Sequence, residues 1–143
     1  MNIKEKYIET FFGNLTKKDK KEIYFDQYMW HAFSFEKITA KEGYDAIKQL
    51  ELIPINSVYV FFQHNNIILE IENITYKEIF NNIEKKRGWD WDCYVVDKDF
   101  KWTFVFTHET INYDAIRCKE ENNIYYLGPY FLTRSQKYRG EDY

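Results

Sequence analysis

The stretch YVVDKDFKWTFVFTHE, residues 94–109, places the strongest constraint on the fold of this chain. Two runs rich in aromatic and β-branched residues flank a short polar segment, Lys98-Asp99, and this pattern predicts a β-hairpin. Side chains alternate along a strand, so one face of the second run consists of Trp102, Phe104, Phe106 and His108. The chain is therefore predicted to contain an antiparallel strand pair with an aromatic face.

The register of this hairpin depends on where its turn lies. Pairing the two strands about the polar segment places Phe106 near Trp91 and His108 near Trp89. His108 is then expected to end a ladder of aromatic side chains.

The two ends of the hairpin carry different polar groups. The second strand is about 23 Å long if each residue adds about 3.3 Å. Asp97 and Asp99 therefore lie at one end, and His108 and Glu109 lie at the other. Aspartate side chains bond nearby backbone groups in turns, so we interpret the two aspartates as turn residues. The two polar pairs are not expected to share a site.

Helices are predicted before and between the strands. Residues 2–12 form the first helix, which ends at Gly13, and residues 17–30 form the second. Two further helices begin after Thr39 and after Thr75, because each threonine is followed three residues later by a glutamate, as in a capping box.

A second hairpin and a short last strand complete the predicted sheet. SVYVFFQ and IILEIE flank a turn-forming segment at 64–66, and YYLGPYF, residues 125–131, is a strand broken at its Gly-Pro pair. Helices followed by strands favour an α+β domain, with a mostly antiparallel sheet of about four to five strands and about four helices on one face. Residues 1–132 are predicted to form this single domain, and 133–143 a polar tail.

The helix after Thr75 is long enough to carry the chain back across the sheet. The strands at 67–72 and 91–96 then run parallel, and the strand that ends at His64 and the strand that ends at His108 finish at the same edge of the sheet.

This shared edge allows a hypothesis about chemistry. His64 and His108, with Glu109 or Asp90 and with His31 as a fourth group, would form a metal or acid–base site of a hydrolase-like or metal-binding enzyme. The alternative is that strand-end histidines bond to loop backbone or water. The spacing matches no compact metal motif, and no phosphate loop or nucleophile elbow is present. We therefore assign no catalytic residue, metal or cofactor.

The aromatic content favours a binding role. Four Trp, 13 Tyr and 12 Phe make up 20% of the chain, which is more than one core needs. Surplus rings at the surface are typical of binding faces, although a tyrosine-rich core with outward hydroxyls would have the same composition. The candidate binding residues are Trp30, Trp89, Asp90, Trp91, Trp102 and Tyr130.

The charge restricts the class of partner. A net charge of -3 argues against nucleic-acid binding, which depends on neutralised phosphates. One basic run is interrupted by Asp19 and is interpreted as a solvated helix face. It consists of Lys17, Lys18, Lys20 and Lys21.

The location is predicted from two further observations. No apolar run has the length of a signal peptide or a membrane span, so no membrane partner is expected. Cys93 and Cys118 lack metal-type and redox-type spacing and are expected to be reduced thiols, which indicates a cytoplasmic protein.

Four motifs together resemble a known family. They are WHAFSFEK at 30–37, VFFQH at 60–64, the long hairpin at 94–109 and LGPYF at 127–131. The family consists of short bacterial proteins defined as a domain of unknown function, so the resemblance implies no activity. The positions that match its motifs are Trp30, His31, Phe33, Ser34, Asp97, Asp99, Trp102, Thr107, His108, Glu109, Gly128, Pro129 and Tyr130.

Three functional hypotheses remain from the sequence. The favoured one is a small cytoplasmic binding protein without catalysis, of which immunity proteins that neutralise a toxin are one kind. The second is the hydrolase-like or metal-binding enzyme, which requires a pocket that brings the candidate histidines and carboxylates together. The third is a structural accessory protein.

Overall fold

The structure, a computed structural model, describes residues 2–54, 57–72, 75–86, 92–107 and 124–130. The predicted tail and the boundary at residue 132 lie outside these residues. In chain order the elements are α1 (Ile3–Phe12), α2 (Lys17–Glu22), α3 (His31–Ser34), β1 (Lys41–Glu42), α4 (Tyr44–Leu52), β2 (Ser57–Phe62), β3 (Ile68–Glu72), α5 (Tyr76–Lys86), β4 (Cys93–Asp97), β5 (Thr103–Phe106) and β6 (Ile124–Leu127).

The described strands form one six-stranded sheet in the order β1-β6-β5-β4-β2-β3. Every neighbouring pair is antiparallel, so the α+β class and both hairpins are confirmed. The expectation of about four to five strands was too low, because the two residues of β1 pair with β6 through Lys41↔Tyr126 and Glu42↔Tyr125.

The pairing of β1 also shifts the start of α4. A helix was predicted directly after Thr39, but the chain first extends along β6 and the helix begins at Tyr44. Gly43 makes the change of direction with φ 63° and ψ -132°, a conformation that glycine adopts without a steric penalty. Its N–H donates to Ile124 O at 2.9 Å, which joins the helix start to the sheet.

The predicted helix at 17–30 is wrong beyond its first turns. α2 ends at Glu22, and Tyr24 adopts a left-handed backbone with φ 56°, which no α-helix accommodates. His31 consequently begins the short helix α3 instead of lying near a helix end.

The hairpin at 94–109 forms in a register different from the predicted one. Asp97 N–H donates to Trp102 O at 3.0 Å, and Phe106 pairs with Cys93, not with Trp91. The reason is a longer turn, in which Phe100 takes a left-handed backbone with φ 59° and donates its N–H to Asp97 O. The predicted pairing about Lys98-Asp99 was therefore two positions out of register.

The described helices cover both faces of the sheet, not one. One core cluster joins α4 and α5 to side chains such as Val60 and Phe104, and the other joins α1 and residues 23–33 to side chains such as Phe61 and Val105. Central strands covered on both sides are buried at successive positions, and β4 and β5 show that pattern. The helices on the second face of the sheet were not predicted, because that face was expected to be polar and exposed to solvent.

The predicted crossover is confirmed. β3 and β4 both run antiparallel to β2, so they run parallel to each other, with β2 between them. The end of β2, the start of β4 and the end of β5 therefore lie at the same end of the strands, along one side of the sheet that runs across them. At this side Gln63 N–H donates to Asp92 O at 2.9 Å. We call it the shared edge.

Candidate functional site

Asp92 is the carboxylate at the centre of the described part of the shared edge. It directly precedes β4, and 2% of it is exposed to solvent. Trp30 Nε1 donates to Asp92 Oδ1 at 3.0 Å, and His64 Nδ1 lies 3.9 Å from Asp92 Oδ2. The buried carboxylate thus has an N–H donor on one oxygen and a histidine near the other, which offsets part of the cost of burial.

His64 connects this carboxylate to the neighbouring loop. Its Nε2 donates to the backbone oxygen of Gln27 at 3.0 Å. The alternative considered for strand-end histidines was a bond to loop backbone, and His64 makes such a bond.

His31 lies on the same side of the shared edge. The ring of Tyr28 is 5.1 Å from the His31 ring and 5.5 Å from the His64 ring, measured between centroids. His31 Nδ1 donates to the backbone oxygen of Ile23. The two histidines therefore converge on one tyrosine, and each of them also holds a backbone carbonyl of residues 23–30, the segment that we call the 23–30 loop.

Two further sheet side chains hold the same loop. Gln63 Oε1 accepts from Met29 N–H at 2.9 Å and also from the hydroxyl of Tyr94. The Tyr94 oxygen in turn accepts from Trp30 N–H at 3.2 Å. The polar groups of the shared edge thus fix the backbone of the 23–30 loop at several points.

A surface pocket of about 440 Å³ lies between α2 and the first half of this loop. Gln27 belongs both to the pocket and to the bonded network, because its backbone oxygen accepts from His64. We call this depression the lysine pocket, and its lining consists of Lys17, Lys20, Lys21, Tyr24, Phe25, Asp26 and Gln27.

The lysine pocket combines apolar and cationic groups. Phe25 is buried, whereas Tyr24 is 64% exposed. Lys20 Nζ lies 5.2 Å from the Phe25 ring centroid, a cation–π distance. Three lysines against one aspartate make the lining locally positive in a chain whose net charge is -3. This arrangement suits an anionic group attached to an apolar one.

Among the described residues, no group of three or more His, Cys, Asp and Glu side chains could hold a metal ion. His108, Glu109 and Asp90, which the enzyme hypothesis used, lie outside the described residues, as do Trp89 and Trp91.

The remaining predicted binding residues have different environments. Trp30 and Trp102 are buried, at 2% and 5% exposure, and they belong to opposite core clusters. Tyr130 is 54% exposed, and Lys41 Nζ lies 4.4 Å from its ring centroid. Of these three, Tyr130 alone presents its ring to solvent.

The lysines of the pocket were missed by the sequence reasoning. The run lies on α2, a helix without buried residues, as predicted, and Lys17, Lys20 and Lys21 also line the pocket. The signal was the aromatic pair Tyr24-Phe25, which begins three residues after Lys21, because rings beside clustered cations are typical of binding sites.

None of the helices that the structure describes has both the length and the apolar character needed to cross a membrane.

A family model described as a domain of unknown function (DUF4275) matches residues 1–131. This match confirms the family resemblance that the sequence motifs indicated. No curated protein and no solved structure matches the chain.

Proposed function

The chain belongs to the DUF4275 family, a domain of unknown function, and we propose that it is a protein-binding domain that holds an acidic segment of its partner in the lysine pocket. The observation that carries this proposal is the convergence of Lys17, Lys20 and Lys21 with Tyr24 and Phe25 in one depression of about 440 Å³.

The charge of the pocket supports an acidic partner segment. Its lysines lie on α2, and Lys17 and Lys21 are exposed to solvent. Complementary charge at an interface rim increases the association rate and excludes partners of like charge. An aspartate- or glutamate-containing segment with an apolar residue would place the carboxylates against the lysines and the apolar group against Tyr24.

The bonds that hold the 23–30 loop support binding by a preformed surface. Gln63, His64 and Tyr94 restrain its backbone from the sheet side. A loop that is already ordered loses little conformational entropy when a partner binds. In this proposal the histidines of the shared edge position the loop and take no part in catalysis.

The proposed partner is a protein, not a nucleic acid. Nucleic-acid binders neutralise many phosphates, roughly 6–10 in well-characterised cases. The pocket offers three lysines beside Asp26, and the chain carries a net charge of -3. These charges suit a short acidic segment of a protein better than a phosphate backbone.

The cellular setting is part of the proposal. The chain has two cysteines, Cys93 and Cys118, whose spacing matches no metal-binding or redox motif, and this pattern is typical of a protein in the reducing cytoplasm. We therefore propose a cytoplasmic binding protein without catalysis, and an immunity protein that neutralises a toxin is one class with these properties.

The test compares matched variants in affinity capture from a host lysate. Lys17→Ala and Lys21→Ala together remove two exposed pocket lysines, whereas Lys85→Ala and Lys86→Ala remove two exposed lysines of α5. Alanine preserves helix propensity in both pairs. We expect one partner to be retained by the unchanged protein and by the α5 variant but to bind the pocket variant roughly 2- to 30-fold more weakly, at about 0.2–1 kcal/mol per lysine.

The salt dependence and the identity of the partner complete the test. Binding through the pocket should weaken as salt is raised, because exposed charges are screened. A partner that binds both lysine variants equally well would overturn the assignment of the pocket. A preparation that retains no protein would overturn the binding function itself.

A further inference from the structure

β3 forms one edge of the described sheet, and the backbone directions of β2 determine which of its groups point outward. Ser57 O accepts from Lys98 N–H at 3.2 Å, and Gln63 N–H donates to Asp92 O at 2.9 Å. The odd-numbered residues of β2 therefore direct their backbone groups toward β4. In an antiparallel sheet the backbone groups of successive residues point to opposite sides, so Val58 and Val60 bond to β3.

The partners of Val58 and Val60 in β3 are Ile71 and Leu69. The backbone N–H and C=O groups of Ile68, Glu70 and Glu72 therefore point away from β2. In the part of the chain that the structure describes, no strand pairs with this outer side. Outward N–H and C=O groups on every second residue, here three residues in a row of alternates, are what an added strand requires for its hydrogen bonds.

The side chains of β3 differ between its two faces. Leu69 and Ile71 pack against a core cluster, whereas Ile68 is 43% exposed and Glu70 and Glu72 are exposed. Lys98 Nζ lies 2.9 Å from Glu70 Oε1 and 3.2 Å from Glu72 Oε1. Two carboxylates and one ammonium group leave this face of the edge with a net negative charge.

The features that normally protect a sheet edge are few on β3. Edges are commonly blunted by charged side chains, above all lysine, or by proline or bulges. The five residues ILEIE include no lysine or proline, their charged residues are two glutamates, and they pair with β2 through five consecutive positions without a bulge. This edge is therefore long and regular enough to accept a further strand.

We propose that the outer edge of β3 binds an extended segment of a partner protein that carries Lys or Arg opposite Glu70 and Glu72 and apolar residues opposite Ile68, Leu69 and Ile71. Backbone hydrogen bonds to the three outward residues hold the segment, and the alternation of basic and apolar side chains makes the binding selective. This surface is separate from the lysine pocket, and the proposal does not depend on the function assigned to that pocket.

The charge of the edge favours such a segment over a second copy of this chain. An antiparallel pairing of two copies of β3 through their outward groups places Glu70 opposite Glu70 and brings both copies of Glu72 to the same face. Like charges directly opposite each other destabilise a strand pair. A basic strand meets no such repulsion.

The experiment uses two cyclic β-hairpin peptides that differ in charge. One presents Lys-Val-Lys-Val-Ile along its free edge, the other Glu-Val-Glu-Val-Ile, and cyclisation removes most of the ordering cost. Backbone amide exchange of the full chain is followed by NMR. At an occupancy of about nine-tenths, the lysine hairpin should slow exchange of the Ile68, Glu70 and Glu72 amides about tenfold, since exchange then requires the unoccupied edge. The Leu69 and Ile71 amides, which already bond to β2, should not change.

A charge-reversal variant provides the control. Glu70→Lys should reverse the preference, so that the glutamate hairpin slows exchange and the lysine hairpin does not. Glu51→Lys makes the same charge change at an exposed position of α4 and should leave the preference for the lysine hairpin intact.

Three results would overturn the proposal. The first is equal slowing by both hairpins or by neither. The second is slow exchange of the three amides without any peptide, which would show that the edge is already covered, and a doubled molecular mass would then identify a second copy as the cover. The third is loss of peptide binding in the Lys17→Ala, Lys21→Ala variant, because the peptide would then occupy the lysine pocket.

Discussion

At the scale of single residues, Tyr24 combines a strained backbone with an exposed ring. Its φ of 56° is left-handed, and 64% of the residue is exposed. The left-handed conformation costs a residue other than glycine roughly 1–2 kcal/mol. Because the ring is mostly exposed, its burial offsets little of that cost. This backbone conformation places the ring in the lining of the lysine pocket. Strained residues are common at binding sites, so the conformation is consistent with a binding role.

Tyr24→Gly should therefore raise stability while it weakens binding. Relief of the strain outweighs the greater freedom of glycine in the unfolded chain, so we expect the free energy of unfolding to rise by about 0.5 kcal/mol. Urea titration measures the change, and capture of the partner should weaken in the same variant.

Phe35→Gly is the matched control for this substitution. Phe35 is also an exposed aromatic residue, at 54%, but its φ is -92°, which is an ordinary value. The control should lose about 0.5–1 kcal/mol, because glycine relieves no strain there. A loss of stability in Tyr24→Gly as large as in the control would contradict the interpretation of strain.

At the scale of secondary-structure elements, α2 depends on its N-terminal cap. Thr16 Oγ1 accepts from Asp19 N–H at 3.0 Å, and Asp19 Oδ2 accepts from Thr16 N–H at 3.0 Å. The bond from the Thr16 backbone is the main cause that lowers the pKa of Asp19 below its ordinary value. A helix of six residues has little stability by itself, so the cap and the packing of the adjoining chain hold the pocket lysines in place.

Thr16→Ala should disturb the lysine pocket, whereas the same change at another helix should not. Loss of a threonine cap costs about 1 kcal/mol. Thr75→Ala removes the corresponding cap of α5, where Thr75 Oγ1 accepts from Glu78 N–H at 3.3 Å.

Measurement of stability by urea titration and of partner affinity separates the two variants. Both should lose a similar amount of stability, but the affinity should fall only in Thr16→Ala. An equal affinity in both variants would show that α2 does not contribute to binding.

The prediction of elements succeeded where the determinants are local. The cap at Thr16, the helix after Thr75 and the two hairpins follow from residues within a few positions of each other. The start of α4 is an error of another kind, because distant residues decide it. α4 starts late because residues 41–42 pair with β6, which lies far along the chain.

At the scale of the whole molecule, the sheet separates two cores that share its central strands. β2, β4 and β5 supply Val60, Val95 and Phe104 to one cluster and Phe61, Tyr94 and Val105 to the other. Because the strands belong to both cores, loss of one core removes the support of the other. The two faces should therefore unfold together.

Phe12→Ala tests this coupling. Phe12 is fully buried in the cluster that contains Trp30, and the substitution should cost about 3–5 kcal/mol. We expect the indole NMR signals of Trp30 on one face and Trp102 on the other to disappear at the same urea concentration, which is lower than in the unchanged protein. Earlier loss of the Trp30 signal would show that the faces unfold independently.

The sequence by itself determined the elements whose signals are local: most helix starts, both hairpins, the α+β class and the crossover that brings the strand ends to one edge. Alternation also placed Trp102, Phe104 and Phe106 on one face correctly. These features depend on periodicity, capping and turn chemistry, which act over a few residues.

Only the tertiary structure decided the order of the strands, the second core and the candidate site. Clustered lysines form a pocket only because Tyr24 turns the chain and because side chains from β4 and the end of β2 hold the 23–30 loop. Among the residues that the structure describes, β3 pairs with β2 alone. These arrangements arise from contacts between residues far apart in the chain, and a local pattern contains no information about which distant groups will meet.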